Sequence, residues 1–466
     1  MRRRLNDAEA LMWRLGQHPM LASTMGSIVM LDGTPDTERF VRSMAHSVLA
    51  VESLHHRVAS PPLPLADLEW EPDPDFDLEH HVRILRLPAR AGIDEVTAAA
   101  TRLIDDPFDR SRPPWSMTLL TGAGRGRSAL VIKADHAIAD GQGMLRLGAN
   151  LFDFSDDAPP RPPVDLDAAM RAAGSGTSSA KDAVTDAIRS RVERLLGLAV
   201  EGLGAAGSPD RARQLVDELG AATQLVGGAN TTASASTAWQ RRSRNRRSLH
   251  LTAPLDELRT QAAARDCSIN DLFVTACAEA AIGYHRTLGE ELPHVVTSVV
   301  VSTRTEDDPD AHNAVIPSAV VVPGAGASTD ERLRAVQQQV AERRAAIDRH
   351  QGGLDAASRI AGFVPPMVAA AAAIDQARRI DIATSNLPGP PMPMWLAGVP
   401  VRWISPLGPV AGTACNITML TFCDDAALGV HYDPNAVADA RLLGSELVSA
   451  LARLQISCRG RSPRTR

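Results

Sequence analysis

Residues 128–141 read SALVIKADHAIADG, and this stretch carries the strongest structural and chemical pattern in the chain. Its first seven residues, 128–134, are apolar and partly β-branched, which predicts a buried strand. His136 follows at the end of that strand, Asp140 comes four residues later, and Gly141 precedes a predicted helix. Because glycine accepts backbone conformations that other residues resist, Gly141 favours a tight turn. The pattern therefore predicts a histidine held in a loop at a strand end.

Histidine is the side chain best suited to accept a proton near neutral pH. An aspartate four residues further on can fold back and brace the loop that carries it. These residues leave two interpretations open, because His136 could equally be a core histidine beside a turn. Asp135 is also ambiguous: it could favour the protonated imidazole if it lies close in space, or point to the opposite face of the strand.

Strands and helices alternate on both sides of this stretch, which predicts an α/β chain with mixed α+β sheets. Residues 36–51, with Thr34 as N-cap, residues 255–264 and residues 330–349 are typical of helices; residues 295–302 and 415–422 are typical of strands. The predicted organisation has an N-terminal subdomain at residues 1–154 and a C-terminal subdomain at residues 241–458. A crossover with an amphipathic helix, residues 155–240, connects them, and a basic tail without order follows at residues 459–466.

Composition excludes several classes of protein. Hydrophobic residues make up 44% and charged residues 22% of the 466 residues, so the chain can bury sizeable cores. Lys and Arg number 49 against 55 Asp and Glu, a net charge of −6 that disfavours a nucleic-acid binder. The five cysteines contain no C-x-x-C, which disfavours a disulfide framework and a zinc site. No metal site is expected.

The longest apolar stretch, residues 361–374, is interrupted by two prolines and is shorter than the roughly 20 residues that a membrane-spanning helix needs. We therefore expect a cytoplasmic protein, or one that lies on the inner face of a membrane without crossing it. The basic run at residues 241–247 could contact phosphate groups or an anionic surface, or it could be a solvated linker end.

Residues 135–141 form a D-H-x-x-x-D-G run that resembles the H-H-x-x-x-D-G signature of the wax ester synthase/diacylglycerol acyltransferase family. That family is grouped with chloramphenicol acetyltransferases and peptide-synthetase condensation domains. Further stretches resemble family motifs, in family order, at residues 7–13, 75–83, 113–115, 268–271, 301–304 and 385–390. The sequence departs from the pattern in three places. Asp135 replaces the first histidine, Pro114 stands before Trp115 where leucine is usual, and Ser116 follows Trp115 where many relatives carry a charged residue.

The resemblance implies two chloramphenicol acetyltransferase-like subdomains with the active site between them. It implies transfer of a fatty acyl group from acyl-CoA to the hydroxyl of diacylglycerol or a long-chain alcohol. His136 would be the general base and Asp140 a structural brace. Acyl-CoA would be a co-substrate, and no cofactor is implied. The expected partners are acyl-CoA, a hydroxyl lipid, and a peripheral membrane or lipid-droplet surface.

By resemblance, the substrate-binding residues lie in loops along a channel between the halves: Asp135, Gly141, Asn270, Asp271, Ser385, Asn386 and Gly389. Capping or turn formation is the alternative role for the polar residues in this set. Two alternative functions also remain open at this point. One is acyl transfer to a specialised metabolite, and the other is a non-catalytic module of the same fold that binds acyl chains or a carrier protein.

Overall fold

The computed structural model describes residues 3–59, 68–138, 143–144, 148, 150–174, 232–302, 315–349 and 366–461. Ten α-helices have both of their ends in these ranges: α1 Asp7–Leu15, α2 Thr37–Ala50, α3 Leu78–His81, α4 Ile93–Asp105, α5 Leu166–Gly174, α6 Leu255–Ala264, α7 Ile269–Thr287, α8 Thr329–Arg349, α9 Pro366–Arg378 and α10 Ala440–Arg453.

The same part of the chain contains 16 strands, which form three sheets. They are β1 Arg3–Arg4, β2 Thr24–Leu31, β3 His56–Ala59, β4 Glu69–Pro72, β5 Val82–Ala91, β6 Trp115–Ala123, β7 Arg127–Asp135, β8 Arg247–Pro254, β9 His294–Ser302, β10 Val315–Pro323, β11 Ile382–Leu387, β12 Trp395–Leu396, β13 Val399–Leu407, β14 Cys415–Phe422, β15 Asp425–Tyr432 and β16 Arg459–Arg461.

Six strands form the N-terminal sheet, in the order β12-β13-β2-β7-β6-β5. Only β5 and β6 run parallel among its pairs. Alternation along β2 and β7 gives this sheet two apolar faces. One face packs on α4 through Ile28 and Val131, and the other packs toward α1 and α2 through Val29 and Ile132. Strands β1, β4 and β3 form a small separate sheet.

Seven strands form the C-terminal sheet, in the order β10-β9-β11-β14-β15-β8-β16, with β11 parallel to both of its neighbours. Helix α7 packs on this sheet and against α10, and almost all of its residues are buried. Within α7, Glu279 accepts charge-assisted hydrogen bonds from Arg332 of α8 (3.0 Å) and Arg453 of α10 (2.7 Å). This buried carboxylate ties three helices together, because a buried charge needs such partners.

Strand β13 connects the two halves of the molecule. It comes from the second half of the sequence, yet it pairs antiparallel with β2, from Val401 opposite Leu31 to Leu407 opposite Gly26. It also contacts β14 and β15 of the C-terminal sheet. At that crossing, a Cβ atom on Gly429 would lie 1.6 Å from the carbonyl oxygen of Pro406. The backbones therefore approach as closely as only glycine permits.

These elements confirm the mixed α/β class. The strand predicted at 128–134 lies within β7, the helix at 255–264 is α6, and the helix at 330–349 begins one residue earlier, in α8. The N-cap prediction for α2 was wrong: Asp36, not Thr34, accepts the cap hydrogen bond, from the Arg39 N–H. A β-region residue with a short acceptor side chain directly before the first helical turn makes the better cap.

The tail was also expected to lack order, but residues Arg459–Arg461 form β16 and pair with β8. The edge of β8 offers free backbone groups, which explains why a basic segment adds a strand there. Of the predicted crossover, residues 175–231 lie outside the described residues, including the amphipathic helix. The subdomain boundaries stay a prediction. Within the described ranges, no helix is both long and apolar enough to cross a membrane.

We predict that Gly429→Ala destabilises the protein by about 1–3 kcal/mol or more, because its methyl group would overlap a backbone carbonyl that cannot rotate away. Gly444→Ala in α10 is the matched control, since its Cβ would lie 3.7 Å from Leu249 in ordinary contact. Alanine there should be neutral or stabilising. Thermal unfolding of both variants provides the measurement, and equal midpoints would contradict the close crossing.

Candidate active site

Strand β7 carries His136 to the junction of the two sheets. Asp135 is the last residue of the strand and pairs with Thr24 of β2. The next residue, His136, donates its backbone N–H to the carbonyl oxygen of Ser23 (3.1 Å). The ladder of the sheet thus holds the backbone on both sides of the histidine. The backbone position from which the His136 side chain projects is therefore fixed, as general acid–base chemistry requires.

Asp135 is buried and serves the turn that carries His136. Its carboxylate accepts hydrogen bonds from the Ala137 N–H (2.9 Å) and the Ser23 hydroxyl (3.2 Å), while its carbonyl accepts one from the Ile138 N–H (3.0 Å). Burial raises the pKa of Asp135, and the Ala137 hydrogen bond and the nearby Arg110 charge act in the opposite direction. The Asp135 carboxylate therefore stabilises the turn that follows β7.

Arg110 is itself held in place near this turn. Its guanidinium lies 3.5 Å from the ring centroid of Trp13 and donates to the Trp13 carbonyl oxygen (2.6 Å). Burial lowers the pKa of Arg110, and the Asp135 charge raises it. The arginine thus offsets part of the cost of placing a carboxylate in the interior.

His136 is half-buried and lines a cavity of about 240 Å³ between the sheets. Both sheets contribute to its walls, which are mostly apolar. The apolar lining includes Met25, Val29, Trp115, Ile132, Phe152, Leu387, Met394, Ile404 and Leu420. A mostly apolar cavity with a few polar groups is typical of a small-molecule site.

The C-terminal sheet contributes three polar side chains to the cavity. Asn416 and Thr418 lie on β14, and the Thr418 hydroxyl donates to the Asn416 side-chain oxygen (2.7 Å). The Asn416 amide donates to the Pro409 carbonyl oxygen (3.0 Å). Ser385 of β11 also lines the cavity, and the structure gives its hydroxyl no hydrogen bond to any described residue. Ser385 is thus a polar group of the C-terminal sheet that a substrate can engage without competition from the described residues.

Lys133 is a second basic group along the same cavity. Its ammonium donates to the Asp106 carbonyl oxygen and lies 4.2 Å from the ring centroid of Phe108. Burial lowers the pKa of Lys133 to about 8, and the charges of Asp106 and Asp105 oppose that shift. The lysine is directed toward α4 by these contacts.

The structure brings together only some of the residues chosen from the sequence. His136 and Ser385 line the cavity, whereas Asn386 and Gly389 do not. Gly389 donates its backbone N–H to the Thr421 hydroxyl (2.9 Å), at a position where a Cβ would meet the Thr421 carbonyl oxygen at 2.0 Å. Close packing of backbone explains that glycine.

Asn270 and Asp271 lie at the start of α7 and do not line the cavity. Asp271 forms a capping box with Ser268: its carboxylate accepts from the Ser268 N–H (2.9 Å), and its own N–H donates to the Ser268 hydroxyl (3.1 Å). Capping is the role that the geometry gives Asp271. Asp140 and Gly141 lie outside the described residues.

Sequence reasoning missed Lys133, Asn416 and Thr418. Each is a polar residue within an otherwise apolar strand, and that pattern was available as a signal of a buried polar site. The meeting of Asn416 and Thr418 with His136 in one cavity was not visible, because β14 and β7 belong to different sheets. Trp115 was noted in a motif, and the structure places it in the cavity wall, where its indole N–H donates to the Leu54 carbonyl oxygen (2.7 Å).

Sequence comparison places this chain beside known acyltransferases. Residues 4–273 match the family model of the wax ester synthase/diacylglycerol acyltransferase catalytic domain, and residues 319–455 match the WS/DGAT C-terminal domain. Two Mycobacterium tuberculosis proteins that carry the name diacylglycerol O-acyltransferase are each 27% identical to the chain. One aligns over 99% of this chain and 93% of its own length, and the other, tgs1, over 94% and 92%.

Solved structures give the same answer for the fold. The wax ester synthase/diacylglycerol acyltransferase of Marinobacter aquaeolei VT8 superposes with a TM-score of 0.62 at 18% identity, over 97% of this chain and 99% of that one. The first condensation domain of the calcium-dependent antibiotic synthetase, in complex with a substrate analogue, gives 0.61 at 18% identity, over 97% and 96%. The catalytic-domain match covers more than half of the chain, so this protein belongs to the wax ester synthase/diacylglycerol acyltransferase family and is an acyltransferase.

Proposed function

We propose that this acyltransferase moves a fatty acyl group from acyl-CoA to the hydroxyl of diacylglycerol or a long-chain alcohol, with His136 as the general base. The observation that carries the proposal is the position of His136 in the wall of an apolar cavity that both sheets line. An imidazole beside an apolar channel suits proton transfer from a lipid alcohol, because an alkyl chain and a hydroxyl must be accommodated together.

In the proposed reaction, the alcohol oxygen attacks the carbonyl carbon of the thioester while a ring nitrogen of His136 accepts its proton. A tetrahedral intermediate with a negatively charged oxygen forms. Its collapse breaks the carbon–sulfur bond, and the imidazolium returns the proton to the departing CoA thiolate. Atoms and charges balance without a covalent acyl-enzyme. Proton transfer of this kind is typically worth about 10²–10⁴ in rate.

Ser385 is our candidate donor to the oxyanion. It faces the cavity from β11, across from the strand that carries His136, and its hydroxyl is not engaged by other described residues. The Thr418 hydroxyl already donates to Asn416, and the Asn416 amide donates to the Pro409 carbonyl oxygen. A hydroxyl that is free in the resting enzyme can donate to charge that appears only in the transition state.

The rim of the cavity supports a lipid acceptor and action at a lipid surface. Phe154 and Val300 line the cavity and are also 50% and 42% exposed. Met392, close in sequence to the lining residues Pro390 and Met394, is 48% exposed. Large apolar side chains on a surface are typical of contact with lipid or protein. This arrangement lets a lipid acceptor enter from a membrane or lipid droplet without passing through water.

We expect His136→Ala to lower acyl transfer at least about 100-fold and to leave the fold intact, because the variant lacks the base. His80→Ala is the control: it removes a half-buried histidine that does not line the cavity. Turnover of radiolabelled palmitoyl-CoA with diacylglycerol, hexadecanol or water as acceptor, together with circular dichroism, gives the readout. A folded His136→Ala enzyme with near-normal turnover would show that His136 is not the general base.

Ser385→Ala should lower kcat by about 10²–10³ with little change in KM, because the lost hydrogen bond forms mainly in the transition state. The thermal midpoint should stay near that of the wild type, since the hydroxyl has no partner in the described structure. Ser385→Thr retains a hydroxyl and tests whether the group itself matters. An unchanged kcat in Ser385→Ala would assign the oxyanion to another donor.

Substitution of Asp135 should change stability and leave the pH–rate profile in place. Asp135→Ala removes the acceptor of a buried N–H group, which costs about 1–3 kcal/mol, whereas Asp135→Asn keeps an acceptor oxygen. Burial raises the pKa of Asp135 in the folded protein. The stability of the wild type relative to Asp135→Asn is thus greatest below pH 3.8, the ordinary value, and falls as pH rises toward the folded pKa.

Thermal midpoints of the wild type and Asp135→Asn, measured from acid to neutral pH, test whether the relative stability of the wild type falls as pH rises. The pH dependence of kcat/KM, measured on the same two proteins, tests the catalytic consequence. If the pH–rate profile of Asp135→Asn shifted, the carboxylate would act on the electrostatics of the base. An unchanged profile would leave Asp135 as a brace for the turn.

A further inference from the structure

A second and larger cavity opens between α4 and β8, and the acyl-transfer proposal does not use it. It measures about 1310 Å³, beyond the usual range of small-molecule sites, so it can hold a sizeable ligand. We call it the arginine cleft, because seven arginines line it: Arg102, Arg125, Arg127, Arg246, Arg247, Arg402 and Arg459. Asp94 and Asp425 are the carboxylates in its wall.

The arginine cleft lies on the opposite face of the N-terminal sheet from His136. Met30 of β2 and Trp403 of β13 line the cleft, while their sequence neighbours Val29 and Ile404 line the cavity of His136. Adjacent residues on a strand project to opposite faces. The cleft is therefore separate from the candidate active site.

Only some of the arginine charge is neutralised by carboxylates of the described structure. Asp32 bonds to Arg127 (2.9 Å) and Arg402 (3.2 Å), and Asp433 lies 3.8 Å from Arg246. The other four, Arg102, Arg125, Arg247 and Arg459, form no ion pair with a carboxylate of the described residues. A wall with this excess of positive charge favours a ligand with two or more negative charges.

The start of α4 adds further donors to the same wall. Gly92, Ile93 and Asp94 line the cleft, and the N-cap Gly92 has no side chain to bond the first-turn N–H groups. The N-terminal end of this 13-residue helix therefore borders the cleft. Asp94 and Glu95 in its first turn, and the bond from the Gly92 N–H to the Glu95 carboxylate (2.8 Å), offset part of its positive charge. Backbone N–H groups and arginines together form the donor set that binds phosphate oxygens in many proteins.

His250 supplies an unsatisfied polar atom in the cleft wall. Its ring stacks on Trp403, with ring centroids 4.4 Å apart, and its Nε2 lies 3.1 Å from the Thr252 hydroxyl. Its buried Nδ1 has no hydrogen-bond partner among the described residues. When Thr252 donates to Nε2, the neutral ring carries its one proton on Nδ1, which leaves an unsatisfied donor in a residue of the cleft wall.

We propose that the arginine cleft binds the phosphate groups of an organic phosphate. Planar guanidinium groups match phosphate oxygens two at a time, which singles out phosphate over a single carboxylate. The same chemistry is present in soluble phosphate esters such as CoA and in anionic phospholipid headgroups. This site does not depend on the proposed function.

The test uses the full-length protein with soluble and lipid probes. Isothermal titration calorimetry measures binding of CoA and of inorganic pyrophosphate. Flotation measures binding to phosphatidylcholine vesicles with and without phosphatidate. Arg102→Gln/Arg247→Gln removes two cleft charges, and Arg241→Gln/Arg244→Gln removes two exposed charges from the same basic run outside the cleft.

We expect the cleft double variant to bind at least about tenfold more weakly than the wild type, because hydrogen bonds to charged groups are lost. The control should change less than about twofold, and wild-type binding should weaken as salt rises. Binding of CoA or pyrophosphate identifies a soluble phosphate. Binding confined to phosphatidate vesicles identifies a lipid headgroup. Both outcomes support the site if the cleft variant alone loses binding.

Absence of binding in both arms, or equal loss in the two double variants, overturns the proposal. Circular dichroism confirms that each variant is folded, and Arg125→Gln/Arg459→Gln repeats the test if the first pair unfolds. His136→Ala should keep wild-type binding of the probe, because the histidine lies on the other face of the sheet. That result separates failure of this site from failure of the proposed acyl-transfer chemistry.

Discussion

The pairing of β13 with β2 is the interaction on which the rest of the molecule depends. It joins a strand from the second half of the chain to a sheet built mainly from the first half. Without it, the walls of the cavity would have no fixed relation to each other, because His136 comes from β7 and Ser385 from β11. The contact between Gly429 and Pro406 adds a steric requirement at the same crossing, and its geometry leaves no room for a side chain.

Alternate side chains along β13 and β2 project to opposite faces of the sheet, and the two faces differ in their chemistry. One face of the N-terminal sheet presents Val29 and Ile404 to a mostly apolar cavity with a histidine at its edge. The other face presents Met30 and Trp403 to a cleft lined with arginines. A single sheet can thus keep an apolar site and a strongly cationic site apart, because successive side chains never share a face.

Local patterns predicted the elements that local interactions determine. Strand 128–134 and helix 255–264 were found because their apolar and capping residues lie within a few positions of each other. The insertion of β13 was not found, because pairing between residues 401 and 31 leaves no mark in either segment alone. The same limit hid Asn416 and Thr418, whose relevance depends on which strand of the other sheet they face. His136 was identified from the family resemblance, whereas the residues around it became known only from the fold.

Asp135 departs from the family motif, and its position at the end of β7 explains how the fold accommodates the change. Asp135 ends β7, so its side chain and that of His136 do not share the cavity. Its carboxylate instead accepts the Ala137 N–H and the Ser23 hydroxyl, bonds that hold the turn behind the histidine. Aspartate is well suited to bond the backbone two residues ahead in this way. The replacement thus acts on the support of His136, the proposed base, and leaves the cavity lining unchanged.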